Sequence, residues 1–96
     1  MRLVISTQAR RDLRDAVEYI AQDDAAAAER LEVRLHETAA RLADFPAPGP
    51  ALAQAAGLRV FSVSGIPFRL VYQVGADRLT ILRIWHGARG WPPASS

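Results

Sequence analysis

The chain has 96 residues, no cysteine, two histidines and a formal net charge of +2. That length suits one domain (1–96) that folds without staples. Without thiols, disulfides and thiolate metal sites are excluded; His36 and His86 alone are too few for a structural zinc, so no metal or cofactor is expected. No apolar run approaches the roughly 20 residues that span a bilayer. The opening MRLVISTQARRDL turns polar too early for a secretory signal, so a cytoplasmic protein without membrane contact is expected. Every basic side chain is arginine, as a GC-rich coding sequence would produce. Residues 1–56 hold seven Arg against nine Asp and Glu, about −2, and residues 57–96 hold five Arg against Asp77 alone, about +4. A basic C-terminal part suits an acidic or nucleic-acid partner.

In chain order, Arg2 to Ser6 is a short β-branched run and reads as a first strand. Ser6 or Thr7 can cap the helix that follows, whose apolar stripe is Ala9, Leu13, Ala16, Val17, Ile20 and Ala21. Arg10, Arg11, Arg14, Asp15 and Glu18 fill its other face; the acidic residues at 12, 15 and 18 interleave with the arginines, which argues for solvation rather than a nucleic-acid stripe. Asp23-Asp24 ends this helix and opens a second, with the stripe Ala28, Leu31, Leu35, Ala39 and Leu42, ending near Phe45. Two amphipathic helices with so short a join form an antiparallel hairpin.

Residues 46–56, with three prolines and a glycine, read as an extended loop. Leu58 to Val63, Phe68 to Val74 and Arg78 to His86 read as three further strands joined by short turns, an antiparallel meander. The order β-α-α-β-β-β predicts an α+β fold: a helical hairpin packed on one face of a four-stranded, mostly antiparallel sheet, with an irregular tail over 87–96. Simple alternation puts Phe68, Leu70, Tyr72, Val74, Leu82 and Ile84 against the helices. It puts Arg59, Phe61, Arg69, Val71, Ile81, Arg83 and Trp85 on the opposite face, which no helix is left to cover. An uncovered apolar and cationic face suits a partner chain. Arg59, Phe61, Arg69, Arg83 and Trp85, with Arg89 and Trp91 in the tail, are the expected partner-binding residues.

Hydrolase signatures are absent: Ser62 and Ser64 lack a Gly-x-Ser-x-Gly setting, and the glycines at 65, 75, 87 and 90 read as turn formers rather than a phosphate loop. His36 sits among charged neighbours and reads as a surface residue. His86, ending the last strand near Arg83 and Arg89, could act as a general acid on a phosphodiester held by Arg69 or Arg83. No base accompanies it, and a supporting role for the tail is the simpler reading.

Over nearly its whole length the chain resembles toxins of the RelE/ParE superfamily from bacterial type II toxin–antitoxin systems. The matching pieces are T-x-A-x-x-D-L (Thr7, Ala9, Asp12, Leu13), Tyr19-Ile20, GLRVF (Gly57 to Phe61), FRLVYQV (Phe68 to Val74) and RLTILRIWHGARGWP (Arg78 to Pro92). The resemblance implies a helical hairpin on an antiparallel sheet and one of two activities. RelE-like members cleave mRNA in the ribosome with basic residues and a C-terminal histidine or tyrosine; ParE-like members poison DNA gyrase. Arg59, Arg69 and His86 would be the catalytic set of a nuclease. The chain has no lysine and no acid or base in residues 46–56, and its HGAR ending and Arg69-x-x-Tyr72 strand are nearer the ParE branch. The resemblance therefore implies a gyrase-inhibiting toxin neutralised by a ParD-like antitoxin, with DNA contacted mainly through that antitoxin. The alternatives are the ribosome-dependent endonuclease and an inactive antitoxin-binding module.

Overall fold

The computed structural model describes residues 1–45 and 57–87. The elements are β1 (Arg2–Ile5), α1 (Thr7–Ala21), α2 (Ala25–Asp44), β2 (Leu58–Ser62), β3 (Phe68–Val74) and β4 (Arg78–His86). The four strands form one sheet in the order β1-β4-β3-β2. β2, β3 and β4 make the expected antiparallel meander, and β1 pairs parallel to β4, Arg2 opposite Arg78 through Ile5 opposite Ile81. The expected loop at 46–56 lies outside the described residues, as do Arg89 and Trp91 of the tail.

Local chemistry sets the element ends. Ser6 is the N-cap of α1, its Oγ accepting from the Ala9 N–H at 3.0 Å, so β1 stops one residue short of the expected strand. Asp24 caps α2 in the same way through the Ala27 N–H at 3.1 Å. Each such cap supplies an acceptor to an orphan donor of the first turn and stabilises the helix by about 1 kcal/mol. Gly57 enters β2 with φ +76°, the left-handed region that glycine adopts without strain, and an added Cβ would meet the Val74 carbonyl oxygen at 3.1 Å.

The core lies between the hairpin and one sheet face. α2 supplies Leu31, Leu35, Ala39 and Leu42; the sheet supplies Phe68, Leu70, Tyr72, Leu79, Ile81 and Ile84. α1 is shallower: only Ala9 is fully buried, with Leu13, Ala16 and Ile20 packed against the core from partly exposed positions.

Two register effects correct the face assignment. Between β3 and β4 the pairing runs Phe68–His86, Leu70–Ile84 and Val71–Arg83, and then shifts to Tyr72–Ile81. The bulge at Leu82 reverses the alternation, so Ile81 and Leu79 join Tyr72 inside, and Leu82 is displaced from the core. Between β2 and β3, Phe61 stands opposite Leu70 and Arg59 opposite Tyr72. Both therefore lie on the helix-facing side, and Phe61 packs against the core instead of forming part of an uncovered face. The opposite face holds Ser62, Arg69 and Trp85 in one row and Val60, Val71 and Arg83 in the next; Val60 and Val71 are themselves buried.

Candidate functional site

β4 has nine residues and β1 only four, so past Ile81 β4 has no strand neighbour on the β1 side. The start of α1 runs along that edge instead. Ser6 donates its N–H to the Ile81 carbonyl at 2.9 Å and its hydroxyl to the Leu82 carbonyl at 3.0 Å. One turn and a half further on, the Asp12 carboxylate accepts the Ile84 N–H at 3.0 Å. Side-chain oxygens thus take over hydrogen bonds that a longer strand would have made.

The same carboxylate holds Arg83. Its guanidinium donates Nε to Oδ2 at 2.9 Å and Nη2 to Oδ1 at 3.3 Å, the two-pronged geometry that arginine and carboxylate share. The guanidinium carbon also lies 4.9 Å from the Trp85 ring centroid, within cation–π range. Sequence reading placed Asp12 among the solvated acids of α1. Its burial beside β4 follows from the unequal lengths of β1 and β4, and nothing local to T-x-A-x-x-D-L announces it.

Around this cluster opens a groove of about 700 Å³ between the helices on one side and the β2–β3 turn and the end of β4 on the other. Its apolar lining comes from Ala16, Ile20, Leu31, Phe68 and Ile84, with Tyr19 exposed on its α1 wall. Asp12 and Asp15 stand on α1, Arg30 and Arg34 on α2, and Arg83, Trp85 and His86 on β4. The His86 ring meets Phe68 edge to face, centroids 5.0 Å apart at 82°. Arg34 also donates to the Ser64 carbonyl and ties α2 to the β2–β3 turn. A smaller hollow of about 200 Å³ lies behind, where Leu42, Phe45, Phe61 and Val63 meet Arg34 and Arg41.

The residues expected to act together are dispersed. By register Arg83 and Trp85 belong to the sheet face away from the helices, but at the open edge of β4 they reach the groove, where His86 joins them from the helix side; Arg69 shares the row of Trp85, with its guanidinium beside Gly87. Arg59 and His86 are both on the helix side. Their rows, at Tyr72 and Phe68, are four residues apart, about 13 Å along the strands at ~3.3 Å per residue, and they sit two strands apart across the sheet. The sheet keeps Arg59 away from His86, whereas the Arg69 guanidinium lies beside the neighbour of His86. Among the described residues no group of three or more His, Asp or Glu is placed to hold a metal ion, and no helix is long and apolar enough to cross a membrane.

Comparison with known proteins agrees with the fold. The family model for the ParE toxin of type II toxin–antitoxin systems (parDE) matches residues 3–91. Among solved structures, a chain of the chromosomal ParDE toxin–antitoxin system from P. aeruginosa superposes with a TM-score of 0.77 at 19% identity, covering 90% of this chain and 95% of that one. Among curated proteins none is significantly similar.

Proposed function

The chain belongs to the ParE toxin family of type II toxin–antitoxin systems, and from that premise we propose that it arrests growth by inhibiting DNA gyrase until a ParD-like antitoxin neutralises it. In this reading it works in the cytoplasm and binds without transferring protons. The antitoxin lays an apolar, acidic segment into the groove between the hairpin and β4, ordering as it binds. Trp85 and Tyr19 supply large contact area there, and DNA is reached mainly through the antitoxin.

The observation that favours binding over mRNA cleavage is the sheet register. A metal-free ribonuclease needs an acid, a base and phosphate-holding cations around one phosphodiester, all within hydrogen-bond reach. Arg59 stands far from His86 on the same sheet side, so the expected set of Arg59, Arg69 and His86 does not surround one phosphodiester.

Expression of the chain alone in bacteria tests the proposal. Filamentation with a DNA-damage response is expected; a rapid translation stop with cut mRNA would overturn it in favour of the nuclease. His86→Ala separates the same two readings. Loss of a general acid lowers a rate by about 10²–10⁴, so a nuclease would lose most of its toxicity. A gyrase inhibitor should keep its growth arrest.

A further inference from the structure

We infer that Asp12 is a positioning residue that withdraws Arg83 from ligands of the groove and leaves charge recognition there to the α2 wall, to Arg30 first and to Arg34 with the donors that its bond to the Ser64 carbonyl leaves over. The Asp12 side chain is 11% exposed and that of Arg83 28%. Two of the Arg83 nitrogens point at Asp12, and the guanidinium lies against Trp85. A cation so engaged has few donors left, and drawing it away would strand a carboxylate in a poorly hydrated position. Arg30 and Arg34 are four residues apart on α2, hence neighbours on one helix face, and both are exposed. Among the described residues neither has a carboxylate within ion-pair distance, whereas Arg83 has Asp12 and Arg78 has Asp77. Among the described residues Asp15 on the facing α1 wall likewise has no cation at that distance.

The groove is therefore polarised across its width: cationic on α2, anionic at Asp15 on α1, and internally neutralised on β4. An acidic, apolar peptide fits it in one orientation, with its carboxylates toward α2. A nucleic acid is disfavoured by the apolar lining and by Asp15. This last step rests on the antitoxin reading; the assignment of Asp12 does not.

The test uses the full chain without any partner. Treatment with an arginine-selective dicarbonyl, followed by mass-spectrometric mapping, should modify Arg30 roughly tenfold or more faster than Arg83, as expected for a charge-assisted pair. Asp12→Asn keeps an oxygen for the Ile84 N–H but removes the charge, and should bring Arg83 close to the rate of Arg30 while Arg30 is unchanged. Arg83 reacting as fast as Arg30 in the wild type would overturn the inference. So would an Asp12→Asn protein in which Arg83 stays protected, since Asp12 would then serve only the strand edge. A second measurement needs no substitution: the Arg83 Nε proton should exchange with water markedly more slowly than that of Arg30 by NMR, and equal rates would also overturn it. Because the chain is probed alone, failure of the growth-arrest assay and failure here are separate outcomes.

Discussion

From Arg78 to Ile81, β4 lies between two strands, β1 parallel on one side and β3 antiparallel on the other; from Leu82 to His86 it keeps β3 alone. The first stretch places Leu79 and Ile81, 0% and 1% exposed, in the centre of the core. The second begins at a bulge, is held at its open edge by Ser6 and Asp12, and lines the groove. The same strand is thus scaffold in one half and groove wall in the other. The change coincides with the point where backbone pairing gives way to side-chain capping.

Substitutions on either side of the bulge should separate the two halves. Ile81→Ala should cost about 2–5 kcal/mol in denaturant unfolding, the range for truncating a fully buried aliphatic residue. An unchanged midpoint would mean that Ile81 is not inside. Asp12→Ala should cost less, ~2–3 kcal/mol, because it orphans the Ile84 N–H and the Arg83 guanidinium at a partly hydrated edge. Leu82→Ala, one residue from Ile81 but on the far side of the alternation, should cost only about 1 kcal/mol for its partial burial. Equal effects at 81 and 82 would erase the bulge as an explanation.

Gly87→Ala should be smallest, within roughly 0.5 kcal/mol. The new Cβ would fall 2.8 Å from Arg69 Nη1, the end of a flexible side chain that can swing aside. A large loss there would show that Arg69 is fixed by more than its neighbour's small size.

The architecture was legible in the sequence because it rests on local signals. The α2 stripe, the Asp24 cap and the bounds of β3 and β4 follow from periodicity and turn residues, and the structure has them where expected. The allocation of residues to sheet faces was not, since it depends on register. Odd-numbered residues of β2 oppose even-numbered residues of β3, which carries Arg59 and Phe61 to the helix side. The bulge at Leu82 inverts the pattern again within β4. Neither offset leaves a mark in strand composition. Of the groove-lining residues, Arg83 and Trp85 were expected on a sheet face that no helix covers, and Asp12, Arg30 and Arg34 were not expected at a site at all. They belong to helices whose side walls line a groove only when the hairpin has docked on the sheet.

Ser6 also restricts which residues its position can accept. Its single oxygen receives the Ala9 N–H and at the same time gives its proton to the Leu82 carbonyl, each at 3.0 Å. Aspartate, ordinarily as good a helix cap as serine, offers only acceptors when ionised and would face that carbonyl with a negative charge. Alanine would lose both bonds, and glycine would leave the carbonyl bare. A library randomised at this codon and sorted for folded protein should therefore return the hydroxyl amino acids. One atom in this position joins the vocabulary of helix starts to that of strand edges.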